Sequence, residues 1–306
     1  MKIGVIIVTF NGMQWIEKCL KSTLNSSKQV EVIVIDNNST DGTVSYIKKQ
    51  YPEVIVLEQE TNLGFGKANN LGMSYALRNN CDYVFLLNQD AYLEVDTIYR
   101  MIEVHKNNLH YGVLSPIHLN GKGDKLDKNF SNYISYNKST NFYSDFILNN
   151  VKETPYEVPF VNAAAWLIPK STLKLVGGFD PLFFHYGEDD NYCQKVIYEN
   201  LKIGIVAKTF VKHDREGVLK RNYSSSKNIL KNLEIKNKLL FADVNNQLTL
   251  SQSNINVLIK FIYHFLFKGV SSSLFYLKTE KLKRKNFLES VKSKNIYFNR
   301  TPYHYL

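Results

Sequence analysis

The N-terminal two-thirds of the sequence predicts an α/β fold, an open sheet of parallel strands with helices on both faces. Strand-like and helix-like segments alternate through residues 2–116. The strand-like segments are near-continuous Val, Ile and Leu runs, as expected of parallel strands buried on both faces. Three runs end on small polar clusters that a strand does not need. Ile3–Val8 leads into Thr9-Phe10-Asn11-Gly12, Val32–Ile35 into Asp36-Asn37-Asn38-Ser39, and Tyr83–Leu87 into Asn88-Gln89-Asp90. Ligands of such sheets bind just outside the carboxyl ends of the strands. Two carboxylates and several amides and hydroxyls therefore converge on one rim, which suits a nucleotide and a hard metal ion.

Taken in order, strands are expected near 2–9, 31–36, 53–58, 82–87 and 111–116, and helices near 13–25, 41–50, 66–79 and 94–107. Ser39-Thr40-Asp41-Gly42 is a turn and helix-start signal for the second helix. Met1-Lys2 and the apolar run after them end at Asn11-Gly12 without a small-residue cleavage site, so they read as a first strand and not a signal peptide. Between about 118 and 158 the periodicity fades into an excursion rich in Asn, Ser, Lys and Tyr, the kind of surface segment that carries specificity. Structure is expected to resume with Val161–Pro169, a short helix at Ser171–Val176 and a turn at Gly177-Gly178-Phe179-Asp180-Pro181. A helix over 187–200 opens with Glu188-Asp189-Asp190, and a last strand from Leu201 to Val206 ends near His213. Trp166 reads as core.

The bulk numbers agree with a globular enzyme-sized chain of 306 residues, 44% hydrophobic and 22% charged. Cys19, Cys81 and Cys193 are too few and too widely spaced for a disulfide framework or a zinc site, which points to a reducing compartment. The formal charge of +10 is unevenly placed. Residues 1–217 carry 22 Lys/Arg against 24 Asp/Glu, whereas residues 218–306 carry 16 against 4. The division predicts an α/β domain over 1–217 and a basic, helical C-terminal region over 218–306. No nucleic-acid motif accompanies the charge, and an anionic membrane surface is the expected partner of this region.

Asp36 stands where a carboxylate can accept hydrogen bonds from a base N–H or a ribose hydroxyl, or alternatively cap the following turn. Thr9 and Asn11 lie on the neighbouring strand end and can reach the same nucleoside. Asp90 follows a buried strand and can bind Mg²⁺ or Mn²⁺, or face solvent as a turn residue. Asn62-Leu63-Gly64-Phe65-Gly66-Lys67-Ala68-Asn69 nearly matches the dinucleotide fingerprint G-x-G-x-x-G. However, Asn69 replaces the last glycine, and the segment follows the third strand instead of the first. Its glycines are expected to let the backbone approach a ligand, with Asn69 and Lys67 as polar contacts. A carboxylate of Glu188-Asp189-Asp190 can act as a general base, or the three can simply complement a helix N-terminus. His213 is a lone histidine near a strand exit, with a structural role or a metal-binding one.

Taken in chain order, these segments resemble the inverting family-2 glycosyltransferases of the GT-A fold, and above all their rhamnosyltransferase-like branch. The matching pieces are Ile6-Ile7-Val8-Thr9-Phe10-Asn11, Val34-Ile35-Asp36-Asn37-Asn38-Ser39-Thr40-Asp41-Gly42-Thr43, Asn62-Leu63-Gly64-Phe65-Gly66 with Asn69, and Leu86-Leu87-Asn88-Gln89-Asp90. Gly177-Gly178-Phe179-Asp180, Phe183-Phe184 with Glu188-Asp189, and His213 follow them. The resemblance covers roughly residues 1–215. It implies a Rossmann-like GT-A domain that binds a UDP- or dTDP-sugar, with a mainly helical extension. The implied reaction passes rhamnose, a hexose or an N-acetylhexosamine to a hydroxyl of a lipid-linked cell-surface glycan. It makes Asp36 and Thr9 contacts to the donor base and extends donor binding to Asn11, Asn38, Gly64, Phe65, Asn69, Asn88, Gln89 and Asp90. It also makes Asp90 the contact to Mg²⁺ or Mn²⁺, His213 a second metal or diphosphate contact, and Asp189 the catalytic base with Glu188 beside it. Asn88 stands in place of the first Asp of the D-x-D pattern, Asn191 where an Asp often follows the Glu-Asp pair, and Lys195 where an Arg often follows. A nucleotide-sugar scaffold without turnover and a nicotinamide-dependent oxidoreductase remain as alternatives, since a fold alone does not separate them.

From Asn254 to Lys278 the chain is strongly apolar, with Asn256, Lys260, His264 and Lys268 recurring every four residues as one narrow polar stripe on a helix. Lys281, Lys283, Arg284 and Lys285 follow. Lys260 and Lys268 interrupt any span long enough to cross a bilayer. The pattern predicts an interfacial helix with a polybasic flank, and so a peripheral protein on the cytoplasmic face of the plasma membrane, with a packed helix of a C-terminal subdomain as the alternative.

Overall fold

The computed structural model describes residues 1–215, 226–248 and 254–306. Along the chain run β1 (Ile3–Thr9), α1 (Ile16–Leu24), β2 (Glu31–Asp36), α2 (Thr43–Gln50), β3 (Ile55–Glu58), α3 (Phe65–Arg78), β4 (Tyr83–Asn88), β5 (Ala91–Leu93), α4 (Thr97–Lys106) and β6 (Tyr111–Asn120). Then come α5 (Lys128–Tyr133), α6 (Thr140–Ile147), β7 (Tyr156–Glu157), β8 (Ala165–Pro169), α7 (Lys170–Val176), α8 (Glu188–Tyr198) and β9 (Lys202–His213). The helices α9 (Ser226–Ala242), α10 (Asn254–Lys268) and α11 (Val270–Phe298) follow. Met1–Val218 with Thr301–Leu306 form one unit, and Leu219–Arg300 a second.

The first unit is built on one sheet in the order β3-β2-β1-β4-β8-β6-β9-β5, with β7 beside β9. Alternate residues of the same strands feed two separate cores. Ile6, Ile33 and Leu86 point to one face with Trp166, while Val5, Ile7, Val34 and Leu87 point to the other with Leu20 and Met101. The period-two side-chain geometry of a strand thus explains the unbroken apolar runs, since both faces are covered.

The sheet is mixed, not all parallel. β1 pairs in parallel with β2 and β4, but β8 lies antiparallel between β4 and β6. A strand reached through the long excursion after β6 is free of the helical crossover that enforces parallel pairing. That reversal has a consequence for the site. The start of β8, not its end, meets the carboxyl end of β4, with Leu87 opposite Ala165 and the Asn88 N–H donating to the Ala164 carbonyl at 2.9 Å. The excursion holds the helices α5 and α6 and the short β7, and β9 continues to His213, past Val206, through an irregularity in its pairing with β6. The apolar stretch of the tail is two helices, because Gly269 breaks it at φ +82° between α10 and α11. All three cysteines are buried and free.

Candidate active site

The carboxyl ends of β1, β2, β4, β6 and β9 and the start of β8 lie along one edge of the sheet. Thr9 is opposite Asp36, Val8 opposite Asn88, and Asn120 opposite His213. Asp36 is buried and accepts the Thr9 hydroxyl at 2.9 Å, the Ser39 hydroxyl at 2.5 Å and the Ser39 N–H at 2.8 Å. A carboxylate has about four lone-pair positions, so one remains on Oδ2 for a ligand. The same carboxylate shapes the turn that follows, so capping this turn still leaves room for a ligand. Asn11 and Asn38 are exposed with φ of 49° and 67°, backbone conformations that Asn tolerates better than most residues. Asn11 ties this turn to β1 by accepting the Thr40 N–H at 2.8 Å.

Several expected ligand contacts are spent internally. Gln89 closes a two-way link to Phe10, accepting its N–H at 3.0 Å and donating to its carbonyl at 3.3 Å. It therefore locks the ends of β4 and β1 together. Asn69 is buried and donates to the Phe65 carbonyl at 3.0 Å, inside its own helix. Gly64 and Gly66 do not open space for a phosphate. A Cβ on Gly64 would lie 2.0 Å from the Phe184 carbonyl oxygen, and one on Gly66 would lie 3.0 Å from Phe179 Cβ and 3.5 Å from Glu188 Cβ. The glycines let the start of α3 pack against the segment that carries the acidic cluster. Phe65 meets Phe179 edge-on, with ring centroids 5.9 Å apart. Asn70 completes the contact, bonding both the N–H and the carbonyl of Phe179 at 2.8 and 2.9 Å.

From the other end, Gly178 N–H donates to the His304 carbonyl at 2.7 Å, so residues 301–306 brace the same segment. Asp180 is paired inside the protein with Lys195 at 3.1 Å, both groups nearly fully buried. Lys195 replaces the expected Arg without losing that ion pair.

The acidic cluster opens α8. Asp189 is half-buried, and the backbone amides of Asp190, at 2.9 Å, and of Ala163 donate to its carboxylate. Ala163 adjoins Ala164, which accepts from Asn88, so Asp189 is anchored to the same sheet edge as Asn88-Gln89-Asp90. Burial raises all three carboxyls, the Glu188 group to about 8 and the Asp190 group to about 7, with the Asp189 charge adding to both shifts. Glu188 is 4% exposed, and its Oε2 has no hydrogen-bond partner among the described residues. Asp189 is held by two backbone donors that favour its anion. It is the carboxyl of the three best suited to carry the charge, while Glu188 keeps its proton at neutral pH.

A stability test follows. Above pH 4.5, the ordinary value for Glu, the unfolded chain ionises this group while folded Glu188 holds its proton up to about 8. The folded state binds the extra proton, so stability falls as pH rises through that window. Glu188→Gln should match the wild type near pH 4 and exceed its Tm by on the order of 5 °C at pH 8. An equal difference at both values would remove the buried acid as the cause.

Asp90 and His213 meet across β5 and β9, with Asp90 Oδ1 3.4 Å from His213 Nε2. Arg215, which no sequence motif singled out, joins them. Its Nη2 is 3.3 Å from His213 Nδ1, and its Nε donates to buried Asp127 at 2.7 Å. A guanidinium only donates, so in this contact His213 Nδ1 is the acceptor, and Nε2 is the ring nitrogen that faces Asp90. Coordination through Nε2 therefore requires Arg215 to leave Nδ1. Asn88 Oδ1 is buried with no hydrogen-bond partner among the described residues. Among the described residues no three His, Cys, Asp or Glu side chains gather as a metal cage. The donor set still fits a hard divalent ion that takes one carboxylate, an imidazole and the oxygens of a bound diphosphate, as Mg²⁺ and Mn²⁺ sites commonly do.

Comparison with known proteins agrees with this geometry. Residues 4–175 match the family model described as Glycosyl transferase family 2. The chain is 24% identical over 206 residues to the low-salt glycan biosynthesis hexosyltransferase Agl10 of Haloferax volcanii, covering 66% of this chain and 64% of that one. It is 24% identical over 210 residues to the N-acetylglucosaminyl-diphospho-decaprenol L-rhamnosyltransferase of Mycobacterium tuberculosis, covering 61% and 67%. It spans only 28% of the length of a third relative, glycosyltransferase GlyA of Streptococcus pneumoniae. Among solved structures, Staphylococcus aureus TarS 1-349 in complex with UDP-GlcNAc superposes with a TM-score of 0.58 at 20% identity, covering 97% of this chain and 81% of that one. The mannosyltransferase PcManGT of Pyrobaculum calidifontis, in complex with GDP-Man and Mn²⁺, gives 0.55 at 17% identity, covering 95% and 73%. These likenesses identify the fold as GT-A with a helical C-terminal region.

Proposed function

Because the chain belongs to glycosyl transferase family 2, we propose that it is an inverting glycosyltransferase acting on a nucleoside diphosphate sugar at this sheet edge. The observation that carries the reading is the placement of two separate acidic sites on one rim. One is Asp189, held by backbone donors; the other is Asp90 beside His213.

In this mechanism Asp36 and Thr9 receive the nucleoside, with Asn11 and Asn38 at the exposed turn beside them. Asp189 accepts the proton of the acceptor hydroxyl as that oxygen bonds to the anomeric carbon. The bond from that carbon to the diphosphate oxygen breaks on the opposite face, which inverts the centre. The buried, protonated Glu188 adds no second negative charge to oppose the departing diphosphate. Asp90 and His213 would hold a divalent ion, which would supply charge neutralisation for the leaving diphosphate. Preorganised electrostatics of this kind account for much of the rate in such reactions.

The acceptor in this reading is a hydroxyl of a lipid-linked cell-surface glycan, and the protein works at the cytoplasmic face of the membrane. The relative named for N-acetylglucosaminyl-diphospho-decaprenol supports that assignment. Calorimetry against UDP-glucose, UDP-galactose, UDP-N-acetylglucosamine, dTDP-rhamnose and NAD, each with Mn²⁺ and with chelator, tests the reading. Metal-dependent binding of one nucleotide sugar is the expected result. Binding of NAD alone, indifferent to metal, would overturn it.

A further inference from the structure

α10 meets α11 through the side that carries His264 and leaves most of its remaining surface, including a broad apolar arc, exposed. At about 100° per residue, Asn256, Lys260, His264 and Lys268 lie along one side. His264 on that side faces α11, with its Nδ1 2.9 Å from Ser272 Oγ and its ring stacked on Tyr276 at 5.0 Å. The opposite arc is apolar and open to solvent. Ile255, Ile259 and Leu266 are 69%, 59% and 67% exposed, and Ile262 lies among them. Beyond Gly269 the exposure continues on Val270 and Leu274, and then Lys278, Lys281 and Lys285 follow on α11. A contiguous apolar patch of this kind marks an interaction surface.

We infer that the outward arc of α10 and the first turns of α11 insert into the interfacial layer of an anionic lipid bilayer, with the lysines of α11 on the headgroups. This names the partner surface of the proposed function, and rests on that reading only for its purpose. Charge selects the occupant. Residues 218–306 carry 16 Lys/Arg against 4 Asp/Glu, so a second copy would bring like charge against like, whereas each Lys or Arg near an anionic surface gains about 1 kcal/mol. Length sets the mode. The 15 residues of α10 reach roughly 22 Å, short of a hydrocarbon core about 30 Å thick. Among the described residues no helix is long and apolar enough to cross a membrane. The helix therefore lies in the surface plane.

The test is flotation of the full chain with vesicles of phosphatidylcholine alone and vesicles enriched in phosphatidylglycerol, at low and high salt. The expected result is binding to the anionic vesicles that weakens with salt and falls by about 10²-fold in Ile259→Glu/Leu266→Glu. Both positions are exposed, so thermal unfolding and nucleotide-sugar binding should stay at wild-type values. Equal flotation of wild type and double variant, or none of the wild type, would overturn the inference. So would self-association of the wild type that the double variant loses, which assigns the arc to a second copy. Nucleotide-sugar binding measured on the same samples separates failure here from failure of the transferase reading.

Discussion

Asp189→Asn should lower kcat by about 10²–10⁴-fold while nucleotide-sugar affinity stays within about twofold, the range that a positioned general base contributes. Asn has the same shape and keeps an oxygen for the N–H of Asp190 and the N–H of Ala163. The α8 start and its anchor to β8 therefore survive, and only the ability to take a proton is lost. A pH series sharpens the test, because Glu188 ionises near 8. If Glu188 were the base, the Asp189→Asn variant would retain substantial activity at alkaline pH and Glu188→Gln would be the dead one. If Asp189 is the base, alkaline pH does not rescue its loss. In the wild type, activity falls on the acid side as the Asp189 carboxyl protonates, at a pH above the ordinary Asp value of 3.8, because burial raises that group. Unchanged turnover in Asp189→Asn at neutral pH would end the assignment.

The features legible in the sequence were local ones. Ile3–Val8, Val32–Ile35 and Tyr83–Leu87 announced buried strands through composition alone, and the polar residues after each strand marked the sheet edge along which they line up. What stayed hidden depended on partners distant in the chain. The direction of β8 follows from its route through the excursion, which no periodicity encodes. Gln89 looks like a ligand contact until Phe10 is placed beside it, and Gly64 looks like a phosphate cradle until the Phe184 carbonyl fills its open side. Arg215 lies two residues past His213, but only folding brings Asp127 to its other end. The stripe on α10 was readable as a stripe. Which way it points was not, since that depends on Ser272 and Tyr276 across Gly269.

Asp90→Ala should weaken nucleotide-sugar binding by about 10²-fold in Mn²⁺ and leave it nearly unchanged in chelator, the scale of losing support at a metal site. The comparison between the two conditions matters more than either value, because Asp90 has a second job. Its Oδ1 lies 3.4 Å from Nε2 of His213, a ring that is 2% exposed, so removing the carboxylate takes the nearest acidic group away from a buried imidazole. That loss costs about 1–3 kcal/mol of stability. A looser fold would bind donor less well whether or not metal is present. Asp90→Asn separates the two effects, since it keeps the shape and an oxygen beside His213 while the charge that would hold a divalent ion is gone. Metal-dependent weakening in both variants, with a lowered Tm in the alanine variant alone, assigns the carboxylate to the ion. Equal weakening in Mn²⁺ and in chelator would reduce Asp90 to the residue that holds His213 in place.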